Sequence, residues 1–475
     1  MSKVALGAVA LATANIVKVI VQALVVPLLA RFVTPAEFGL VSIALPFLTF
    51  IMIFGDAGIA LSLLRSKAES ESLWSTAFWL VLLVGGALSC LLVFVGQIIA
   101  WVFGQPVLAT VLSTLAVIPF LQGLTTIPYM RIYQRERLAY LATVESVSIL
   151  VGAIVSILMA ALGAGLWALV FQQLGYWLIK LIGILIAAGF LPKLQFNLRL
   201  LKEHVKFARD LITFRMIDFF SRGVDPLVVG KVLGVEAAGY FVVATQIVRL
   251  PRMLLIGPIS TAIYPRLVRV HNDPAELRVI FLSSTRILAA VIFSLMAFAA
   301  VESKSIFSIV LSERWLPAAN LFAFLVPVNA LMAVTSLNGT VLMAINRTDV
   351  QVLTATEYTL LRFVILCATV WGGLEALAIG FNVAFGLYFY RFMKLFLPTV
   401  DCGLSLFIDA LARPGVVAII FAGTHAAITW WADPSLIVRL AIAAALLLAC
   451  WSMTFLTLRR TFLRDFSVLR RNFKG

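Results

Sequence analysis

With 475 residues, 62% of them hydrophobic and only 12% charged, at a mean hydropathy of +1.07, the chain has more apolar surface than a water-soluble core can hide. It reads as an all-α polytopic membrane protein, and its net charge of +15 is explained by Lys and Arg kept in cytoplasmic loops, which sets nucleic acid aside as a partner. Cys90, Cys367, Cys402 and Cys450 are scattered, mostly inside apolar runs and without CxxC or Cys/His spacing, so neither a disulfide framework nor a metal site is supported.

The first apolar run continues to about Ala30 and is interrupted by Asn15 and Lys18. It is too long for the core of a signal peptide and is read as a retained first helix. Runs of about 20 residues bounded by charge, Gly or Pro then follow. The spans lie near 5–30, 38–62, 74–99, 106–130, 140–161, 166–190, 209–231, 236–264, 280–301, 316–345, 350–371, 374–398, 412–431 and 434–457, about fourteen in all. The connection 191–208 alternates Lys, Arg and His with Leu, Phe and Val, which predicts an interfacial helix on the cytoplasmic leaflet. An even number of spans puts both termini on one side, and that side collects most of the loop Lys and Arg, including the basic tail from Arg459 to Lys474. The positive-inside rule makes it the cytoplasmic side.

The span 209–231 is apolar enough to cross a bilayer yet carries Arg215, Asp218, Arg222 and Asp225. On a continuous helix these four share a sector of roughly 80° on one face. Charges at membrane depth face a bundle interior or an aqueous cavity, because facing lipid is costly. Subtracting 200 gives Asn15, Lys18, Gln22 and Val25, and TPAEFG (34–39) stands where GVEAAG (234–239) stands. Glu145 matches Glu357 at an offset of 212, and GLWAL (165–169) matches GLEAL (373–377) at 208. These registers argue for a duplication of about 200 residues, a common plan in transporters with the substrate site between the repeats.

No HExxH, GxSxG, Walker A or GxGxxG motif occurs, so nothing points to catalysis. His204 and His271 fall in expected cytoplasmic loops and His425 stands alone in a late span; each reads as a surface or packing residue. The intramembrane bases Lys18, Lys180, Arg215, Arg222, Arg249 and Arg362, with the polar Asn15 and Gln22, are the candidate substrate-binding set. Several cations with few partners are expensive to bury, and a cavity built for an anion removes that difficulty. Asp56, Glu145, Asp218, Asp225 and Glu357 are the candidate carboxylates for coupling to a proton or sodium gradient; Glu145 and Glu357 are read more readily as structural, at equivalent helix ends. Glu302 and Lys304 lie too near a helix end to count.

ARFVTPAEFGLVSIA (30–44), FGDAGIALSLLR (54–65) and SRGVDPLVVGKVLGVEAAGYFVVA (221–244) resemble the starts of the two lobes in the polysaccharide transporter branch of the multidrug/oligosaccharidyl-lipid/polysaccharide (MOP) exporter superfamily, which includes the Wzx-type flippases. The resemblance covers nearly the whole chain. It implies two pseudo-twofold six-helix lobes, near 1–200 and 201–400, followed by two extra helices and a basic tail in 401–475. It also implies alternating access through a central cavity whose bases hold an undecaprenyl-diphosphate-linked oligosaccharide moving to the periplasmic leaflet. No enzymatic cofactor is expected, and the partners are the lipid-linked cargo, membrane lipids and the polymerase or chain-length proteins of the pathway. The expected location is the bacterial inner membrane, with the protein a monomer. A lipid II flippase and, at lower weight, a multidrug efflux antiporter are the alternatives within transporters. A membrane glycosyltransferase or polymerase is the competing class, disfavoured because no loop is large enough.

Overall fold

In lipid each backbone N–H and C=O needs a partner within its own segment or bundle, and this chain meets that need with helices throughout. The computed structural model describes residues 3–55, 58–65, 70–432 and 434–457; within these, the side chains of 3–9, 11, 12, 65, 221, 222, 258, 262, 436, 437 and 453–457 are left aside. Asp56 and the basic tail therefore lie outside the described residues. No strand occurs among those described. The chain divides into two compact units, Met1–Val242 and Val243–Gly475.

The first unit holds α1 (Lys3–Ala30), α2 (Pro35–Gly55), α3 (Ile59–Arg65), α4 (Glu71–Phe103), α5 (Val107–Leu115) and α6 (Val117–Gln134). It continues with α7 (Leu138–Ala161), α8 (Trp167–Ala188), α9 (Lys202–Arg222), α10 (Asp225–Val232) and the first turns of α11 (Val235–Arg269). α7 packs between α1 and α8, α4 packs on α6, and α2 touches α4, α5, α6, α9 and α10. One core gathers Trp74, Phe78 and Ile127 with Leu63 of α3 and Ala208 of α9. The start of α2 is fixed by a capping box: the Thr34 backbone N–H and hydroxyl both donate to Glu37 Oε2 at 2.8 Å, and the Glu37 N–H donates to Thr34 Oγ1 at 3.3 Å. Glu37 Oε1 also accepts from the Leu166 N–H at 3.2 Å, which ties α2 to the entry of α8.

α2 and the start of α11 approach backbone to backbone. A Cβ at Gly39 would overlap Val235 O, and a Cβ at Gly239 would overlap Pro35 O. Val235 and Gly239 lie 200 residues after Pro35 and Gly39, so the crossing is reciprocal between the two copies of the repeated motif.

The second unit holds the rest of α11, then α12 (Pro274–Val301), α13 (Ser303–Val310), α14 (Leu316–Val334), α15 (Leu337–Ala344), α16 (Thr348–Thr369), α17 (Gly373–Phe396), α18 (Leu404–Ala432) and α19 (Leu436–Thr457). α12 is its centre, packed on α14, α18 and α19, while α17 packs on α14 and α16. Phe281 of α12 stacks on Phe407 of α18 (5.9 Å, 5°) and meets Phe396 of α17 edge-on (5.1 Å).

The internal repeat is visible in the backbone of each unit. Glu136 (φ 56°) precedes α7 and Asn346 (φ 58°) precedes α16, 210 residues apart and both left-handed. Among the described residues, eleven helical stretches are long and apolar enough to cross a membrane, and one of these, Thr348–Val400, contains both α16 and α17.

Two expectations are corrected. Residues 191–197 are not helical: the strap is extended, with only a short 3-10 turn at Leu198–Leu201 before α9. Pro192 has no N–H to give a helix, and α4 satisfies the extended backbone instead. The Lys193 N–H donates to Ser75 Oγ (3.1 Å), Trp79 Nε1 donates to Lys193 O (2.9 Å), and the Asn197 N–H donates to Thr76 Oγ1 (3.3 Å). The Lys193–Glu71 ion pair at 2.6 Å closes the strap. The expected span 209–231 is likewise broken, α9 ending at Arg222 and α10 starting at Asp225. Pro226, at the start of α10, cannot continue the hydrogen-bond ladder of α9. The Arg215–Asp218–Arg222–Asp225 stripe is therefore not one continuous helix face.

Candidate functional site

In the first unit, the candidate residues converge where α1, α7 and α8 pack together. Lys180 of α8 forms an ion pair with Glu145 of α7 at 3.0 Å, with side-chain exposures of 16% and 28%. Tyr176, one turn before Lys180, donates its hydroxyl hydrogen to Glu145 Oε1 (2.7 Å) and accepts from Lys180 Nζ (2.9 Å). The ammonium also lies over the rings of Tyr129, Tyr176 and Trp177 at 5.2–5.7 Å, favourable for a cation facing π-density. Lys18 of α1 is exposed and within electrostatic reach of Glu145. One carboxylate thus holds one lysine tightly and sits in the field of a second. Asn15 is exposed on α1 and Gln22 is half-buried.

The charges of α9 and α10 are disposed differently. Arg215 is half-buried, Asp218 exposed and Asp225 buried, and all three are engaged by neighbours. Asp225 opens α10, where the helix dipole favours a carboxylate. The side chain of Arg222 lies outside the described set. Of the histidines, His204 corrects the expectation of a loop position: it lies within α9, buried, with Nδ1 2.7 Å from Ser62 Oγ.

In the second unit Glu357 of α16 pairs with Arg391 of α17, Nε to Oε2 at 2.7 Å and Nη2 to Oε1 at 2.8 Å. This pair repeats Glu145–Lys180: Glu357 lies 212 residues after Glu145 and Arg391 lies 211 after Lys180. Tyr388 stands 212 after Tyr176, 4.6 Å from Tyr358 between ring centres. Each repeat therefore ends in a carboxylate on its fifth long helix and a base on its sixth, with a tyrosine beside them. Arg362 lies over the Phe381 ring at 4.4 Å, and Arg249 of α11 is half-buried; both are engaged by neighbours. Sequence reasoning matched Glu145 to Glu357 but missed their partners. The signal was present, since Tyr176 and Lys180 are four apart on one helix face and Arg391 falls within one residue of the 212 register.

The architecture is that of a multi-pass helical membrane protein built on a duplicated plan. The structure superposes on the lipid II flippase MurJ in its inward closed conformation with a TM-score of 0.72 at 16% identity, over 95% of this chain and 99% of that one. It superposes on an inward-facing multidrug resistance MATE transporter of the MOP superfamily with a TM-score of 0.55 at 14% identity, over 82% and 99%. The model of the polysaccharide biosynthesis protein family matches residues 28–320, and the chain belongs to that family. It is 24% identical to the succinoglycan biosynthesis transport protein ExoT of Rhizobium meliloti, over 58% of this chain and 56% of that protein. It is 26% identical to the lipopolysaccharide biosynthesis protein WzxC of Escherichia coli (75% of this chain, 72% of that protein). It is also 26% identical to the teichuronic acid biosynthesis protein TuaB of Bacillus subtilis (70% and 69%).

Proposed function

We propose that the protein is a flippase that moves an undecaprenyl-diphosphate-linked oligosaccharide from the cytoplasmic to the periplasmic leaflet of the bacterial inner membrane. The observation that carries this reading is the placing of bases on apolar helices in a chain of a polysaccharide biosynthesis family. Lys18, Arg249 and Arg362 sit in stretches long and apolar enough to cross a membrane, whereas Arg215 sits on the more polar α9, which is not among them. A diphosphate brought to membrane depth needs cations there, and bases at that depth are otherwise expensive. Lys18 is the exposed member on α1 and is the first contact we assign to the diphosphate; Arg222, Asn15 and Gln22 belong to the same polar set. Lys180, held by Glu145 and Tyr176, positions this corner and supports the field at Lys18.

The duplication supports two lobes, near 1–200 and 201–400, that rock to open the cavity to one side at a time, with 401–475 adding two helices and a basic cytoplasmic tail. Both termini lie in the cytoplasm, and the protein works as a monomer alongside the polymerase and chain-length proteins of its pathway. No enzymatic cofactor is needed, and a proton or sodium gradient supplies the driving force. A strain lacking the protein is expected to accumulate complete lipid-linked repeat units inside the cell while surface polysaccharide disappears. Loss of the repeat units themselves would point to a glycosyltransferase instead. Lipid II is the second cargo, favoured by the likeness to MurJ over 95% of the chain. Rescue of a strain depleted of its own lipid II flippase separates the two.

A further inference from the structure

The second unit contains a buried charge cluster that the cargo pathway does not use. Glu302 closes α12 and opens α13, and its side chain is fully buried, as is that of His425 on α18. Glu302 Oε1 lies 2.8 Å from His425 Nε2 and 2.9 Å from Arg439 Nε on α19. The first approach is off the line of a hydrogen bond, and Glu302 Oε2 and His425 Nδ1 have no hydrogen-bond partner among the described residues. Arg439 is the one member that keeps an opening, with 31% of its side chain exposed, and its Nη2 also donates to Val301 O at 3.5 Å. Phe421 stacks on the imidazole at 6.3 Å.

We propose that Glu302 and His425 form a proton-binding site, in which a proton taken up by the imidazole competes with Arg439 for the Glu302 carboxylate. A guanidinium keeps its charge under all ordinary conditions. The resting cluster is neutral when Glu302 and Arg439 are charged and His425 is not. A proton arriving at the imidazole puts two cations on one fully buried carboxylate, which is costly. The cation with a way out is Arg439, whose long side chain can carry its charge to the membrane surface; His425 is fully enclosed. The proton comes from water and ends on an imidazole nitrogen, and Arg439 keeps its own proton, so the buried site holds one cation and one carboxylate throughout. Departure of Arg439 breaks the tie from α19 to the end of α12. By linkage, whatever moves α19 off α12 then favours proton uptake, and the reverse holds equally.

Among the described residues, other charges do not intrude. Among the described residues, the next titratable group on α12 is Arg286, about 24 Å along the helix. α14 has none, Lys304, Glu313 and Arg314 are exposed, and α18 has only the Asp409–Arg413 pair, twelve residues or more before His425. On α19 the other titratable side chain is Cys450, whose thiol faces Val417 O.

The chain has three histidines, so in a His204→Gln/His271→Gln background the remaining 15N imidazole signal is His425. The full chain in lipid nanodiscs is titrated from about pH 5 to pH 9 by NMR. Removing the competitor with Arg439→Gln is expected to tighten proton binding at least tenfold, a shift of one pH unit or more, while Arg439→Lys stays near the parent. An imidazole that stays neutral across the range in both parent and Arg439→Gln, or one that titrates identically in all three proteins, overturns the proposal. The readout involves no cargo, so its failure would leave the flippase reading standing.

Discussion

Replacing Lys180 by Met removes the base from the Glu145 pair while keeping the apolar stem. A fully buried pair that loses one partner costs about 3–5 kcal/mol, and an exposed pair costs under about 1 kcal/mol. With exposures of 16% and 28%, and with Tyr176 still donating to Glu145, the structure places Lys180→Met between these limits, near 2 kcal/mol by those principles. For a unit of this size about 2–4 °C is lost per kcal/mol, so Tm should fall by about 4–8 °C. Adding Glu145→Gln removes the stranded carboxylate, and the double variant should regain at least half of the loss. The resulting coupling energy is about 1–3 kcal/mol. Thermal unfolding of the four proteins in one lipid environment closes the cycle. A coupling energy indistinguishable from zero would refute the view that this pair braces α7 against α8. If the stable double variant still exports polysaccharide, Lys180 is a brace; if it is stable yet inactive, Lys180 contacts cargo directly.

Arg391→Ala breaks the twin pair, but with Arg391 58% exposed the same melting assay should register a loss of under about 1 kcal/mol. Glu37→Ala removes a capping-box acceptor and strands the Leu166 N–H; a loss of about 1–2 kcal/mol is expected, with Glu37→Gln recovering part of it. Gly39→Val and Gly239→Val each drive a side chain into a facing carbonyl, and overpacking of about 1–3 kcal/mol or more is expected for each. Gly39→Ser, smaller than Val, should fall between parent and Gly39→Val in both melting temperature and export; equal behaviour of all three would contradict the close approach.

What could be read from the sequence follows the scale of each signal. Apolar runs and the Gly39/Gly239 and Glu145/Glu357 registers are long-range repeats of simple patterns, and the duplicated helical plan is visible in them. The break at Gly223–Val224 is hidden because Pro226 sits inside an apolar run, and periodicity alone carries the helix across it. The strap 191–197 has the alternation of an amphipathic segment, yet its hydrogen bonds go to Ser75, Thr76 and Trp79, more than a hundred residues earlier. No local pattern encodes such partners. For the same reason Glu302 reads in the sequence as a helix-end charge and His425 as a lone histidine, although α12, α18 and α19 bring them together with Arg439. Glu145 and Lys180 each stand out in the sequence, but as members of separate sets. Their pairing needed α7 and α8 side by side.

The central claim is that bases on membrane helices carry a diphosphate-linked saccharide across the bilayer. The direct test uses proteoliposomes containing the full chain and a fluorescent polyprenyl-diphosphate oligosaccharide, with leaflet occupancy read by a membrane-impermeant quencher. The parent protein is expected to equilibrate the lipid between leaflets. Lys18→Ala and Arg215→Ala should slow this at least tenfold, and Lys18→Ala, on an exposed side chain, should melt within about 1 kcal/mol of the parent, as for surface substitutions that leave packing intact. Equal rates in parent, variants and protein-free vesicles would contradict the account.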